Sequence, residues 1–190
     1  MTRILLASRS PQRRAILAQI GVEFDVAVAD VEELGEGEPS AVALENACRK
    51  ALAVAPASMP ILGVDTVVVV DGTVYGKPAD EAEERATLAL LSGRDHEVLS
   101  GLCAIDANGG APRTALARTR VRFRPLDDAT LDWYVATGEW RERAGGYAIQ
   151  GRGAALVAEI AGDYLNVVGL PVAALLELLP EILPLAPRWS

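Results

Sequence analysis

The residues Ser8, Ser10, Pro11, Arg13 and Arg14 bring together the groups that bind an anion. A short apolar run, Ile4 to Ala7, leads into the two hydroxyls. A proline suited to the first turn of a helix follows, and then two adjacent arginines. With Ser10 as N-cap, the unpaired first-turn amides and the positive helix end face the same point as the hydroxyls and Arg13. The anion best suited to that corner is a phosphate chain, which points to a protein that handles nucleotides.

Asp65 is the next candidate, because it interrupts the apolar run Ile61 to Val70. A carboxylate buried there is costly unless it is paired, bound to a metal, or at a strand end lining a cleft. It reads as a general base or a metal ligand, or else as a carboxylate capping a neighbouring loop. Asp65 and Thr66 point to opposite faces of an extended strand, so a bulge or twist is expected if both serve one site. Gly76-Lys77-Pro78 fixes a lysine that suits a phosphate oxygen, although a solvated loop lysine reads the same way. Arg49 can pair with Glu45 at i,i+4, whereas Lys50 has no such partner and stands as a weaker candidate. Glu32-Glu33 reads as a solvated acidic turn. Mg²⁺, however, is held by one or two carboxylates plus substrate phosphates, and Glu33 with Asp65 would supply them. Gln150, in the glycine-punctuated segment Gly145 to Gly153, offers an amide to a base edge. His96, the single histidine, reads as a packing or surface residue. No serine-hydrolase triad and no zinc-ligand spacing is present.

The elements that must position these groups follow from periodicity and punctuation. Strands are expected at Ile4–Ser8, Phe24–Asp30, Ile61–Val70, Val74–Gly76, Glu97–Asp106, Thr114–Phe123 and Ala154–Ile160. Asp71-Gly72 is a hairpin turn. Helices are expected at Pro11–Ile20, from Pro39-Ser40 to Pro56, at Glu81–Leu91 capped by Asp80, at Asp127–Thr137 and at Pro171–Leu179. Gly162 to Pro171 reads as a turn into the last helix, and Leu179 to Ser190 as a tail laid against the surface. Helices mixed with hairpins imply an α/β fold with a mixed sheet rather than a doubly wound parallel one.

The 190 residues are read as one domain, with two lobes around a cleft as the variant. Half the composition is hydrophobic and only 5% aromatic, so the core is built from Ala, Val, Leu and Ile. A net charge of −8, with no basic run, argues against duplex DNA or RNA as a partner. Cys48 and Cys103 read as reduced core thiols. With Met1-Thr2-Arg3 leading directly into strand-like sequence and no apolar run of spanning length, neither a signal peptide nor a membrane span is expected. A soluble, cytoplasmic protein is expected.

Four segments, LLASRSPQRRAIL, VDTVVVVDGTVYGKPAD, GGYAIQGRGAALV and IAGDYLNVVGLPV, together resemble the Maf family of nucleoside triphosphate pyrophosphatases, in the family's order and spacing. The resemblance runs from about Ile4 to Leu179, and the whole chain, 1–190, is taken as a single Maf-like domain. It implies a mixed, curved sheet flanked by helices, with two lobes around a cleft, similar to the inosine triphosphatases. The implied activity is divalent-metal-dependent (Mg²⁺ or Mn²⁺) hydrolysis of a nucleoside triphosphate to the monophosphate and pyrophosphate. Asp65 matches the proposed proton acceptor. Ser10, Arg13, Lys50 and Lys77 match the phosphate-holding residues, and Glu33 the acidic position near the metal. The substrate-dividing positions are Gln12, Thr66 and Gln150. Thr66 and Gln150 look like the branch acting on dTTP and UTP. Gln12 stands where that branch usually has Arg, and Arg14 shares the spacing of the 7-methyl-GTP branch. A homodimer is also implied.

Two rival readings follow. One keeps the chemistry with 7-methyl-GTP or another modified nucleotide as substrate. The other is a non-catalytic nucleotide-binding regulator of cell division. A haloacid-dehalogenase-type phosphatase fails, because the Asp it needs two residues after Asp65 is Val67.

Overall fold

The apolar run at 61–70 forms one strand, β3 (Ile61–Val70), buried along its length except at half-buried Thr66. The computed structural model describes residues 2–28 and 30–184. The other strands are β1 (Ile4–Ala7), β2 (Phe24–Val26), β4 (Thr73–Tyr75), β5 (Asp95–Ile105), β6 (Arg113–Phe123) and β7 (Val157–Ala161). The sheet runs β2-β1-β3-β5-β6-β7, with β4 also on β3. β1 is parallel to β2 and β3, and every other pairing is antiparallel. Helices α1 (Pro11–Gln19), α2 (Pro39–Leu52), α3 (Glu81–Leu91), α4 (Asp128–Ala136), α5 (Tyr164–Val168) and α6 (Val172–Leu178) pack around it. The fold is thus α/β with a mixed sheet, as expected. No helix among the described residues is long and apolar enough to cross a membrane.

The two-residue period of β3 divides the interior. Leu62 and Val64 enter a core with Ile4 and Leu6 of β1, Leu17 of α1 and Leu175 of α6. Val68 and Val70 enter a second core with Leu88 and Leu91 of α3 and Tyr134 of α4. Thr66 falls between the two. On the opposite face, Ile61, Val67 and Val69 pack with apolar residues of α2, among them Ala47, Ala51, Val42 and Ala43. Each fully buried Leu or Ile contributes about 1.5–3 kcal/mol relative to exposure, an upper figure because unfolded chains are partly compact.

Several elements differ from expectation, each for a local reason. β2 stops at Val26 although the alternation continues. Its partner β1 gives out at Leu6↔Val26, and Val28 is exposed. α2 ends at Leu52, short of Pro56. Val54 N–H and Ala55 N–H then bond the carbonyls of Ala51 and Leu52 in a tightened turn, since the residue before a proline avoids helical geometry. α2 is capped by the Glu38 carboxylate, which accepts from Ser40 and Ala41 N–H at 3.1 and 2.7 Å. Arg152–Leu156 is a 3₁₀ helix, and the strand starts only at Val157. The Glu139 carboxylate draws this turn in by accepting from Arg152 and Gly153 N–H at 3.1 and 3.0 Å. The expected turn after Gly162 contains α5, capped by Asp163. Leu179 and Ile182 are buried in the β1–α6 core, so this part of the tail is interior rather than surface cover. The end of the expected tail lies outside the described residues.

Candidate active site

β1 pairs with β3 as far as Gly63, and β4 takes up at Val68. Residues 64 to 67 therefore have a β5 neighbour on one side and, among the described residues, no strand on the other. Both faces of β3 open there on one cleft of about 660 Å³. The bulge or twist expected at Asp65-Thr66 is not needed. Pairing with β5 continues through Asp65↔Gly101 and Thr66↔Ser100, and the two side chains reach the cleft from opposite faces of the open edge.

On the α2 face Asp65 is 5% exposed. Its Oδ1 accepts from Lys50 Nζ at 2.6 Å and its Oδ2 from Asn46 Nδ2 at 3.1 Å. Lys50, which has no helical i,i+4 partner, is thus paired across the fold, and a second time with Glu33 Oε1 at 2.8 Å. Asn46, which borders the cleft and contacts Asp65, is not singled out by the sequence. It is 1% exposed, accepts from Leu34 N–H at 2.8 Å and donates to the Leu34 carbonyl at 3.0 Å, tying the acidic loop to Asp65. Its signal was an amide one turn before Lys50 on an alanine-rich helix face. The Arg49–Glu45 pair forms as expected, at 2.9 Å on the surface.

On the other face Arg13 is buried and spans three elements. Nη1 donates to Ser8 Oγ at 2.9 Å, Nε to the Gly169 carbonyl at 2.9 Å, and Nη2 to Thr66 Oγ1 at 3.2 Å. Two of its five N–H donors remain for a ligand. Burial pulls its pKa below the ordinary arginine value, and the charges of Asp65 and Glu33 work against that pull. Thr66 Oγ1 also lies 2.9 Å from Ser100 Oγ. Ser10 caps α1 by accepting from Arg13 N–H at 3.4 Å, and its hydroxyl donates to Gln12 Oε1 at 3.1 Å. Arg14, one helical step on, is exposed and not part of the cleft wall.

The far wall carries Lys77, paired with Glu142 Oε2 at 3.1 Å, and the segment 142–150 with Gln150. Gly145 N–H bonds the Gly76 carbonyl at 2.9 Å and holds that segment against the lysine loop. The nine positions that the family resemblance marks, Ser10, Gln12, Arg13, Glu33, Lys50, Asp65, Thr66, Lys77 and Gln150, all border this one cleft, whereas Arg14 does not. His96 lies outside it as a packing residue, its Nε2 2.8 Å from Tyr147 Oη and its ring edge-on to Phe123.

Glu33 and Asp65 both reach a single point, at which the Lys50 ammonium sits. No group of three or more His, Cys, Asp or Glu that could hold a metal occurs among the described residues. Two convergent carboxylates fit a hard cation that completes its shell with phosphate oxygens and water.

Behind the Gly145-Gly146 turn, Glu84 is fully buried and neither carboxylate oxygen has a partner among the described residues. A Cβ on Gly146 would overlap the carboxylate, so only glycine fits above it. Burial pushes the Glu84 pKa up from 4.5 to about 8. Between those values the folded state holds the extra proton, and stability falls as pH rises. His96 acts oppositely. Burial lowers its pKa from 6.5 to about 4, so stability is lost as pH falls through that range. Glu84 therefore acts without this opposition between about pH 6.5 and 8, where about 1.4 kcal/mol per pH unit amounts to about 2 kcal/mol. Urea unfolding at those two pH values should show wild type losing about 2 kcal/mol more than Glu84→Gln. Equal losses would mean that Glu84 does not titrate there.

A mixed sheet opened at one edge onto a cleft lined by both basic and acidic side chains, with a buried carboxylate on the open strand, defines an α/β protein whose polar cleft fits a charged small molecule. The Maf-like protein family model matches residues 3–182, and the chain belongs to that family. It is 46% identical over 186 residues to the dTTP/UTP pyrophosphatase of Symbiobacterium thermophilum, covering 95% of this chain and 94% of the relative. It is 43% identical over 185 residues to the enzyme of that name in Pyrococcus furiosus, covering 94% and 95%. For the one in Deinococcus radiodurans the figures are 44% over 181 residues, covering 93% and 91%. A solved nucleoside-triphosphatase, the dITP/XTP pyrophosphatase of Mycobacterium abscessus, superposes on 65% of this chain and 75% of its own, with TM-score 0.45 and 20% identity.

Proposed function

We propose that this protein hydrolyses a nucleoside triphosphate, with dTTP and UTP preferred, to the monophosphate and pyrophosphate. The observation that carries the reading is the placement of Asp65. It is fixed by Lys50 and Asn46 at the open edge of β3, in the same cleft as Arg13 with its two spare donors. Water attacks the α-phosphorus, its proton passing to Asp65, and the bond to the bridging oxygen breaks to release pyrophosphate. Ser10, Arg13, Lys50 and Lys77 hold phosphate oxygens as their charge develops. Glu33 and Asp65 would hold Mg²⁺ or Mn²⁺, which when bound supplies positive charge to the phosphate oxygens. Gln150, exposed on the far wall, reads the base edge, Gln12 borders the same pocket, and Thr66 acts through its hydrogen bond to Arg13. The names of the relatives support dTTP and UTP as substrates.

The test is pyrophosphate release with Mg²⁺ or Mn²⁺ from dTTP, UTP, CTP, 7-methyl-GTP, GTP and ATP. The highest kcat/KM is expected for dTTP and UTP. A preference for 7-methyl-GTP would give Gln12 the deciding weight and overturn the substrate choice. Nucleotide binding without release of pyrophosphate from any of the six would leave a binding regulator instead.

A further inference from the structure

The geometry points to Arg143 as a further substrate-binding residue, taking the pyrophosphate portion of the triphosphate together with Lys77. Other cations bordering the cleft are engaged by the protein's own oxygens. Arg9 faces Asp30 at 3.4 Å, Lys50 faces Glu33 and Asp65, Lys77 faces Glu142, and Arg13 has its three oxygens. Arg143 borders the same cleft, its Nε is buried, and that nitrogen has no partner among the described residues. No carboxylate lies within ion-pair distance of its guanidinium there, in a chain with 26 acidic residues against 18 basic ones. A buried guanidinium N–H left unpaired is expensive, and a fork of five donors matches phosphate oxygens.

The local backbone is arranged for this placement. Glu142 takes the left-handed region at φ 61, where a non-glycine residue is uncommon, and it sends its carboxylate to Lys77 while Arg143 follows on the cleft wall. The Gly145-to-Gly76 hydrogen bond then locks Arg143 and Lys77 into one wall. The assignment to pyrophosphate rests on the reading above. Asp65 places the α-phosphorus beside Lys50 and Arg13, and the remaining two phosphates fall to the cations of the opposite wall.

The experiment is calorimetric titration of the full chain with inorganic pyrophosphate and with dTMP, for wild type, Arg143→Met and Arg143→Lys. Arg143→Met is expected to weaken pyrophosphate binding about 10- to 100-fold and leave dTMP within about twofold, while Arg143→Lys retains an intermediate affinity. Equal weakening of both ligands would move Arg143 to the α-phosphate, and no weakening of either would make it structural. Each of those results overturns the proposal. Because the readout is binding, failure of the nucleotide panel to release pyrophosphate would sink the hydrolytic reading separately.

Discussion

Asp65→Asn is expected to lower kcat for pyrophosphate release about 10²- to 10⁴-fold while the protein still binds the triphosphate. The substitution is isosteric, so what changes is charge and hydrogen-bond polarity. As a carboxylate, Asp65 accepts on both oxygens, from Lys50 and from Asn46. Asn46 cannot turn its amide over to help, because its oxygen and nitrogen are both fixed by the Leu34 backbone. An asparagine at 65 must therefore present its NH₂ to either the Lys50 ammonium or the Asn46 NH₂. Two donors then face each other in a site with little water, at a cost of about 1–3 kcal/mol. The same NH₂ cannot take a proton from water.

Turnover and thermal unfolding together separate the roles of Asp65. If it served only to cap the acidic loop through Asn46, the variant would melt earlier and still release pyrophosphate at close to the wild-type kcat. If it is the proton acceptor, kcat falls much further than the stability loss explains, and triphosphate affinity holds or rises because a negative charge has left the cleft. A wild-type kcat would remove Asp65 from the chemistry.

Local grammar was readable in the sequence. Ser10 and Asp80 cap their helices as expected, α3 has the expected ends, and Asp71-Gly72 turns the hairpin with φ of 48° and 78°. What could not be read depends on partners distant in sequence. Lys50 looked unpaired because helix-neighbour rules see only three or four residues along, whereas Asp65 is 15 residues away and Glu33 is 17 residues away. Asn46 was invisible for the same reason. The open edge at 64–67 is set by where β1 ends and β4 begins, and strand ends are decided by pairing rather than by composition. The resemblance to the family raised Lys50 from a weaker candidate to a member of the site that holds Asp65 and Glu33. The residues alone read Glu33 as an acidic turn, with a metal site shared with Asp65 as the alternative.

The second large effect concerns two glycines that do not line the cleft. Gly63 on β3 and Gly101 on β5 lie under α2, whose facing residues Ala43, Ala47 and Ala51 are fully buried. A Cβ on Gly63 would overlap the Ala47 carbonyl oxygen and come within 2.9 Å of Ala51 N. One on Gly101 would overlap the Ala43 carbonyl and come within 2.7 Å of Leu44 N. These neighbours are helix backbone, so no rotamer change relieves the contact and α2 itself must lift off the sheet. Gly63→Ala and Gly101→Ala are each expected to cost about 3 kcal/mol or more, lowering Tm by about 6–12 °C. The loss reaches the chemistry because α2 carries both Asn46 and Lys50, and a displacement of about 1 Å can cost about 100-fold in rate. Variants that melt early yet keep the wild-type kcat at a temperature where they remain folded would show that α2 need not be seated this closely for Asp65 to work. An unchanged Tm would show that the helix can shift at little cost, and the tight seam between α2 and the sheet would then not be what holds Lys50 against Asp65.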